Sequence, residues 1–273
     1  MLRTLLLGMI ALTLLPRESI AQGDLQNAAL GQCVLESGDV LEDCRIAYRT
    51  FGELNSDSSK SVLFPTQFMG TSAIIAEYIG PAGLVDDADY FVIAVDAFAN
   101  GVSASPSNSS SQPGELFPQV SIRDMVSSQH RLVTEILGLP SLRGVIGISM
   151  GGMQAFEWAV SYPGFTEKIV SIASSPRLAT YDVVMWETVL RILSVYQECQ
   201  CKEAVSALMG ISFLTGNSPD YHARISPRDS IPGIITRMDN QLFAVPNDCG
   251  HNGLRCDDEM LSRATQRFLA SRK

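Results

Sequence analysis

Gly144-Val145-Ile146-Gly147-Ile148-Ser149-Met150-Gly151-Gly152-Met153 carries a short apolar run straight into a serine set between glycines. An apolar run of that length, bounded by turn-forming residues, reads as a buried strand over Gly144 to Ile148. From Met153 to Tyr162 the apolar spacing changes to that of a helix. The junction is then a sharp strand-to-helix turn with Ser149 at its apex. The pattern Gly147-Ile148-Ser149-Met150-Gly151 supplies the small neighbours such a turn needs. A serine held there presents Oγ at the carboxyl edge of a sheet, beside a helix N-terminus that favours developing negative charge. A glycine-rich turn that only packs a helix on a sheet has the same local sequence, so the pentapeptide needs its context. A phosphate cradle does not fit: no G-K-[ST] follows, and the glycines are not spaced G-x-G-x-x-G.

Working outward, Ser61 to Phe64 and Tyr90 to Val95 are further buried strands. Ile122 to Leu137 has helical periodicity, with apolar residues at 122, 125, 126, 132, 133, 136 and 137. Lys168 to Ala173 is strand-like, and Ile234-Ile235 is placed to begin a later strand. Strands separated by helices of this length imply crossover connections and a mainly parallel sheet flanked by helices, an α/β fold. Residues 178–228 break the rhythm with helical and loop-like sequence and read as a reduced cap. Ser103 to Ser111 is rich in Ser, Pro and Asn and is a loop.

The chain has 273 residues, 46% of them hydrophobic, with 20 Lys plus Arg against 29 Asp plus Glu and a formal charge of −9. That is a globular composition, not a disordered one. The acidic balance, with no basic stripe, argues against nucleic acid as a partner. Residues 1–21 read as a signal peptide: Arg3 is the positive region, Leu5 to Leu15 the apolar one, and Ser19-Ile20-Ala21 the small-residue cleavage site. The apolar run is too short for a membrane span, which takes about 20 residues. Residues 22–273 are then one domain, secreted or periplasmic. Its six cysteines (Cys33, Cys44, Cys199, Cys201, Cys249, Cys256) favour disulfides in such a compartment. A hairpin from Gln32 to Tyr48 with Gly38-Asp39 as its two-residue loop pairs residues whose numbers sum to 77, which sets Cys33 opposite Cys44. Cys199 and Cys201 are too close for an easy mutual bond, leaving their partners open. No Cys/His set has zinc-like spacing, and neither metal nor cofactor is expected.

Gly147 to Ala159 (GISMGGMQAFEWA), Ile122-Arg123-Asp124-Met125-Val126, Tyr48 to Asn55 (YRTFGELN) and Phe98 to Asn108 (FANGVSASPSN) come in one order along the chain. Together they resemble the homoserine O-acetyltransferase-like branch of the α/β-hydrolase superfamily. The likeness runs nearly continuously over residues 32–177 and then thins. It implies an eight-stranded sheet with a helical cap and a catalytic triad in the order Ser, Asp, His.

Three histidines are available as the base for Ser149. His251, in Cys249-Gly250-His251-Asn252-Gly253, sits where that order requires it. His130 lies mid-helix on an expected polar face, and His222 lies in the cap region without a supporting motif. Asp239, after Ile234-Ile235-Thr236-Arg237-Met238, matches the family's acid loop. Asp229 is the alternative, and Asp248 stands behind both. Only 11 residues separate Asp239 from His251, against a helix and a strand in the family. Oxyanion donors fall on the backbone N–H of Met150, the residue after the nucleophile, and, as matching the loop to the family implies, on that of Phe68 in Thr66-Gln67-Phe68-Met69-Gly70. Arg177 and Arg191 are candidates to bind a substrate carboxylate.

The expected chemistry is double displacement on a small ester or thioester through an acyl-enzyme at Ser149. Three features count against homoserine acetylation itself: Asn252 replaces the aspartate that the acetyltransferases carry after their histidine, the cap is short, and export removes the enzyme from cytosolic acetyl-CoA. An ester hydrolase or another acyltransferase is expected, with a catalytically degenerate binding protein as the different-class alternative. A homodimer is allowed for. Asn108-Ser109-Ser110 is a glycosylation sequon.

Overall fold

The computed structural model describes residues 23–199, 201–216, 218–225 and 265–271. Eight strands are present among them: β1 Gln26–Ala29, β2 Cys33–Val34, β3 Val40–Leu41, β4 Arg45–Phe51, β5 Ser61–Pro65, β6 Phe91–Val95, β7 Gly144–Ile148 and β8 Ile169–Ile172. Six form the main sheet in the order β1-β4-β6-β5-β7-β8. β1 and β4 pair antiparallel, as do β4 and β6, while β6, β5, β7 and β8 run parallel to their neighbours. The sheet is mainly parallel, as its alternating strands and helices imply. The antiparallel edge strand β1 carries no strong pattern in the sequence.

Every residue of β5 and β7 is buried, which is why both read as unbroken apolar runs: each face of a crossover sheet is covered. Leu63, Ile93 and Val145 point to one face, where Val126, Leu132 and Trp158 complete a core. Val62, Phe64, Val92 and Ile146 point to the other, against Ile75, Leu84 and Leu269.

Helix α1 (Ser72–Ile75) follows β5; α2 (Ile122–Arg131) and α3 (Met150–Ser161) cover the first face. A reciprocal box opens α2: Ser121 Oγ accepts from Asp124 N at 3.2 Å and Asp124 Oδ2 accepts from Ser121 N at 2.7 Å. Asp124 Oδ1 also accepts from Glu36 N at 2.7 Å, tying the hairpin to the helix. The Arg-Asp-Met-Val motif is thus structural. The helix expected through Leu137 is α-helical only to Arg131; Leu132–Ile136 widens into a π turn. Leu137 N reaches back to Leu132 O at 3.0 Å. Leu132 and Val133, at the start of this turn, are both fully buried.

The hairpin register differs from the expected one. Cys33 opposes Leu41 and Val34 opposes Val40, a shift of three in the number sum, and only two residues per strand pair. Leu35 N donates to Asp39 O at 2.9 Å, so the turn spans Leu35 to Asp39 instead of two residues, with Gly38 at φ 90°. Cys33 and Cys44 are bonded all the same, their Cα atoms 5.6 Å apart, because Cys44 pairs back on Leu30 and Gly31. The expectation for Cys199 and Cys201 is also corrected. They bond to each other with Cα atoms 5.0 Å apart, and Cys201 N donates to Cys199 Sγ at 3.2 Å.

Residues 178–228 supply α4 (Thr180–Cys199), α5 (Lys202–Gly216) and α6 (Pro219–Ile225). A short helix at 265–270 closes the second core with Leu269. Arg143 donates to Leu269 O and Ser271 O, and Lys168 Nζ to Phe268 O and Ser271 O, so two cations satisfy its last carbonyls. Among the described residues no helix is long and apolar enough to cross a membrane. The signal-peptide region, Ile234-Ile235, Cys249 and Cys256 lie outside the described residues.

Candidate active site

β7 ends at Ile148 and α3 begins at Met150, leaving a single residue for the turn. Ser149 makes it at φ 53°, ψ −120°, a region that L-residues other than glycine avoid. Its neighbours hold it there. Ser149 N donates to Ile172 O at 2.9 Å, and Ser149 O accepts from Gly152 N at 2.9 Å and Met153 N at 3.1 Å. The flanking glycines are required by close approach: a Cβ on Gly147 would lie 1.9 Å from Gly151 O, and one on Gly151 would lie 2.5 Å from Pro65 O. The second contact presses the elbow against the end of β5.

β5 runs into Thr66-Gln67-Phe68-Met69-Gly70. Thr66 is anchored by Thr66 N to Val95 O at 3.0 Å and by Ala97 N to its Oγ1 at 3.0 Å. Gly70 N closes the turn on Gln67 O at 2.9 Å, with Met69 at φ 58°. Asn100 Nδ2 donates to Gly70 O at 3.1 Å and to the buried Asp96 Oδ1 at 2.8 Å, and Asp96 Oδ1 also accepts from Ser72 N at 2.8 Å. The loop after β6 therefore braces the loop after β5. Asn108 closes that brace: its amide donates to Gly101 O and Ser103 O and accepts from Ser105 N. The sequon asparagine is thus a hydrogen-bonding member of the loop.

Phe68 and Met150, the expected oxyanion donors, sit on these two adjoining segments. As the first residue of α3, Met150 has an N–H that no helix carbonyl can satisfy. The Phe68 ring is exposed and meets Trp186 of α4 edge to face. Arg177 lies on the exposed segment before α4 and Arg191 along its exposed surface. Asp239, His251, Asn252 and the alternatives Asp229 and Asp248 lie outside the described residues.

The other two histidines are engaged elsewhere. His130 does not sit on a free polar face: it stacks on Tyr162, centroids 3.8 Å apart at 7°, with Phe165 at 5.0 Å. Burial lowers its pKa below the ordinary histidine value, and Glu135 partly opposes that. His222 Nε2 lies 3.1 Å from Phe213 O within the α5–α6 region.

Gln129, Gln154 and Trp158, which the sequence reading assigned no role, form a buried hydrogen-bonded chain behind the elbow. The only local signal is polar residues at helix positions whose neighbours are apolar.

Comparison with known proteins agrees with this geometry. The family model described as alpha/beta hydrolase fold matches residues 60–196. Ethyl acetate hydrolase from Pseudomonas veronii is 37% identical over 174 residues, covering 63% of this chain and 50% of that protein. A homoserine O-acetyltransferase from Methanohalophilus mahii is 35% identical over 179 residues, 58% of this chain and 37% of that protein. Among solved structures, the acetyl esterase MekB aligns with a TM-score of 0.72 at 29% identity, over 88% of this chain and 73% of that one. The chain spans about half the length, or less, of these curated relatives. The strand–serine–helix turn on a mainly parallel sheet and the match over residues 60–196 place this chain in the alpha/beta hydrolase fold family.

Proposed function

We propose that the protein is a serine-dependent acyl-transfer enzyme acting on small esters, with water as the ordinary acceptor. The observation that carries this is Ser149, held at φ 53° between two glycines that the turn requires. Backbone strain of this kind, about 1–3 kcal/mol, persists where surrounding structure enforces it, and it clusters at active sites. The ethyl acetate hydrolase and acetyl esterase relatives support an ester substrate.

In this reading His251 takes the Ser149 proton while Oγ attacks the ester carbonyl carbon. The carbonyl π electrons move to oxygen, and the oxyanion is held by the N–H groups of Met150 and Phe68. Collapse expels the alkoxide, which takes the proton from His251 and leaves an acyl-Ser149 ester. Water, deprotonated by His251, then repeats the sequence and releases the acid. Asp239, or Asp229 in its place, orients His251. Asn252, where the acetyltransferases have aspartate, favours hydrolysis over transfer to homoserine. We place the protein outside the cytosol, a reading supported by the signal-peptide pattern and the Cys33–Cys44 bond.

The test is fluorophosphonate labelling and p-nitrophenyl acetate turnover of the full chain and of Ser149→Ala. Labelling and turnover lost in Ser149→Ala support the enzyme. No labelling of the folded parent protein points instead to a degenerate binding protein. Faster turnover with homoserine, accompanied by O-acetylhomoserine, shifts the reading to transferase.

A further inference from the structure

Behind the elbow runs a chain of three side chains that have no place in the acyl chemistry. Trp158 Nε1 donates to Gln129 Oε1 at 2.9 Å, and Gln129 Nε2 donates to Gln154 Oε1 at 2.6 Å. Gln154 Nε2 then donates to two backbone carbonyls, Thr66 O at 3.0 Å and Met150 O at 3.2 Å. All three side chains are fully buried. An amide in such a place costs free energy unless its groups are paired, and these are.

The direction of the chain is set from both ends. An indole N–H only donates, so Gln129 must turn its oxygen toward Trp158. A carbonyl oxygen only accepts, so Gln154 must turn its nitrogen toward Thr66 and Met150. Each glutamine is left with one orientation, and the two requirements agree at the bond between them.

The end of the chain falls where it matters. Thr66 opens the loop that carries Phe68, and Met150 follows the nucleophile. One nitrogen therefore holds together the two backbone segments that supply the oxyanion donors. We propose that Gln154 is a positioning residue for the oxyanion hole. Its amide sets the spacing of the Phe68 and Met150 segments, and Gln129 and Trp158 hold that amide in its working orientation. Its amide bonds Gln129 and the two backbone carbonyls, and it acts through them. The inference rests on the serine-esterase reading, and the controls below separate the two.

The full chain and its Gln154→Met, Gln129→Met and Ser149→Ala variants are compared for p-nitrophenyl acetate kcat and KM, for thermal midpoint, and for inhibition by n-butylboronic acid, whose serine adduct is tetrahedral. Loss of a donor outright lowers kcat about 100-fold or more, so a donor displaced in Gln154→Met should lower it about tenfold, with KM within about twofold and boronate affinity falling in parallel. Gln129→Met keeps the two carbonyl contacts and loses only their orienting partner, so its kcat should fall less, by about threefold. A folded Gln154→Met with unchanged kcat overturns the proposal. So does a raised KM at unchanged kcat, which reports substrate binding instead. If Gln154→Met does not fold, Gln129→Met decides: lowered kcat with unchanged KM supports the proposal and unchanged kcat overturns it. Full turnover in Ser149→Ala is the separate failure of the serine reading, whatever the glutamine variants do.

Discussion

Phe68 and Trp186 meet edge to face, their ring centroids 5.3 Å apart at 81°, and so join the loop after β5 to helix α4. That contact weighs heavily because α4 buries none of its residues. An aromatic pair contributes about 0.5–1.5 kcal/mol beyond its buried area, equivalent to a factor of roughly 2–13 in a local opening equilibrium. In Trp186→Ala, hydrogen exchange across Thr180–Cys199 should quicken by about that factor while β5 and β7 keep their protection. Unchanged exchange in α4 would show that other contacts hold it.

Strain at Ser149 makes activity and stability oppose each other. Ser149→Gly removes the Cβ that disfavours φ 53° and should raise stability by about 1 kcal/mol, after the entropy cost of glycine in the unfolded chain. That corresponds to a rise of about 2–4 °C in thermal midpoint, with esterase turnover abolished. A lowered midpoint would mean that contacts of the Ser149 side chain outweigh the strain.

His130 gives a pH dependence with a definite sign. Burial against Tyr162 and Phe165 lowers its pKa in the folded protein, with Glu135 opposing. The unfolded chain then binds more protons than the folded one below pH about 6.5. Stability contributed by neutral His130 is complete above that pH and declines as pH falls through it toward the folded value. Urea midpoints measured from pH 7.5 to 5 should fall more steeply in the parent protein than in His130→Phe, which keeps an aromatic ring on Tyr162. Parallel curves would remove His130 from the account.

Cys33 and Cys44 close a short loop, with a sequence separation of 11. Chain-entropy arguments give such a loop about 3 kcal/mol of stabilisation. The double variant Cys33→Ser, Cys44→Ser should lose about that much in denaturant titration. Its p-nitrophenyl acetate kcat should stay within twofold of the parent value, since neither residue belongs to the site.

What could be read along the chain is what short-range chemistry governs. β7 occupies the residues expected of it, and β5 and β6 lie within one residue of theirs. A strand covered on both faces is an unbroken apolar run whatever surrounds it. The turn at Ser149 was equally legible, because Gly147 and Gly151 answer contacts made within a few residues or at the adjoining strand end. The hairpin register was not. It depends on whether the turn starts at Leu35 or Gly38, and backbone hydrogen bonds that neither glycine nor aspartate identity specifies make that choice.

Tertiary structure alone brought together Gln154, Gln129 and Trp158 with Thr66, partners 25 to 88 residues apart along the chain. In the sequence Gln129, Gln154 and Trp158 are polar or aromatic residues on helices and Thr66 follows a strand; polarity among apolar helix neighbours is the local sign, and it names no partner. The stacking of His130 on Tyr162 and the edge-to-face contact of Trp186 with Phe68 came from the same source. Local sequence carries periodicity and backbone preference, which act over a few residues. A buried hydrogen bond or ring contact exists only once packing has brought two distant segments within reach and excluded water from between them.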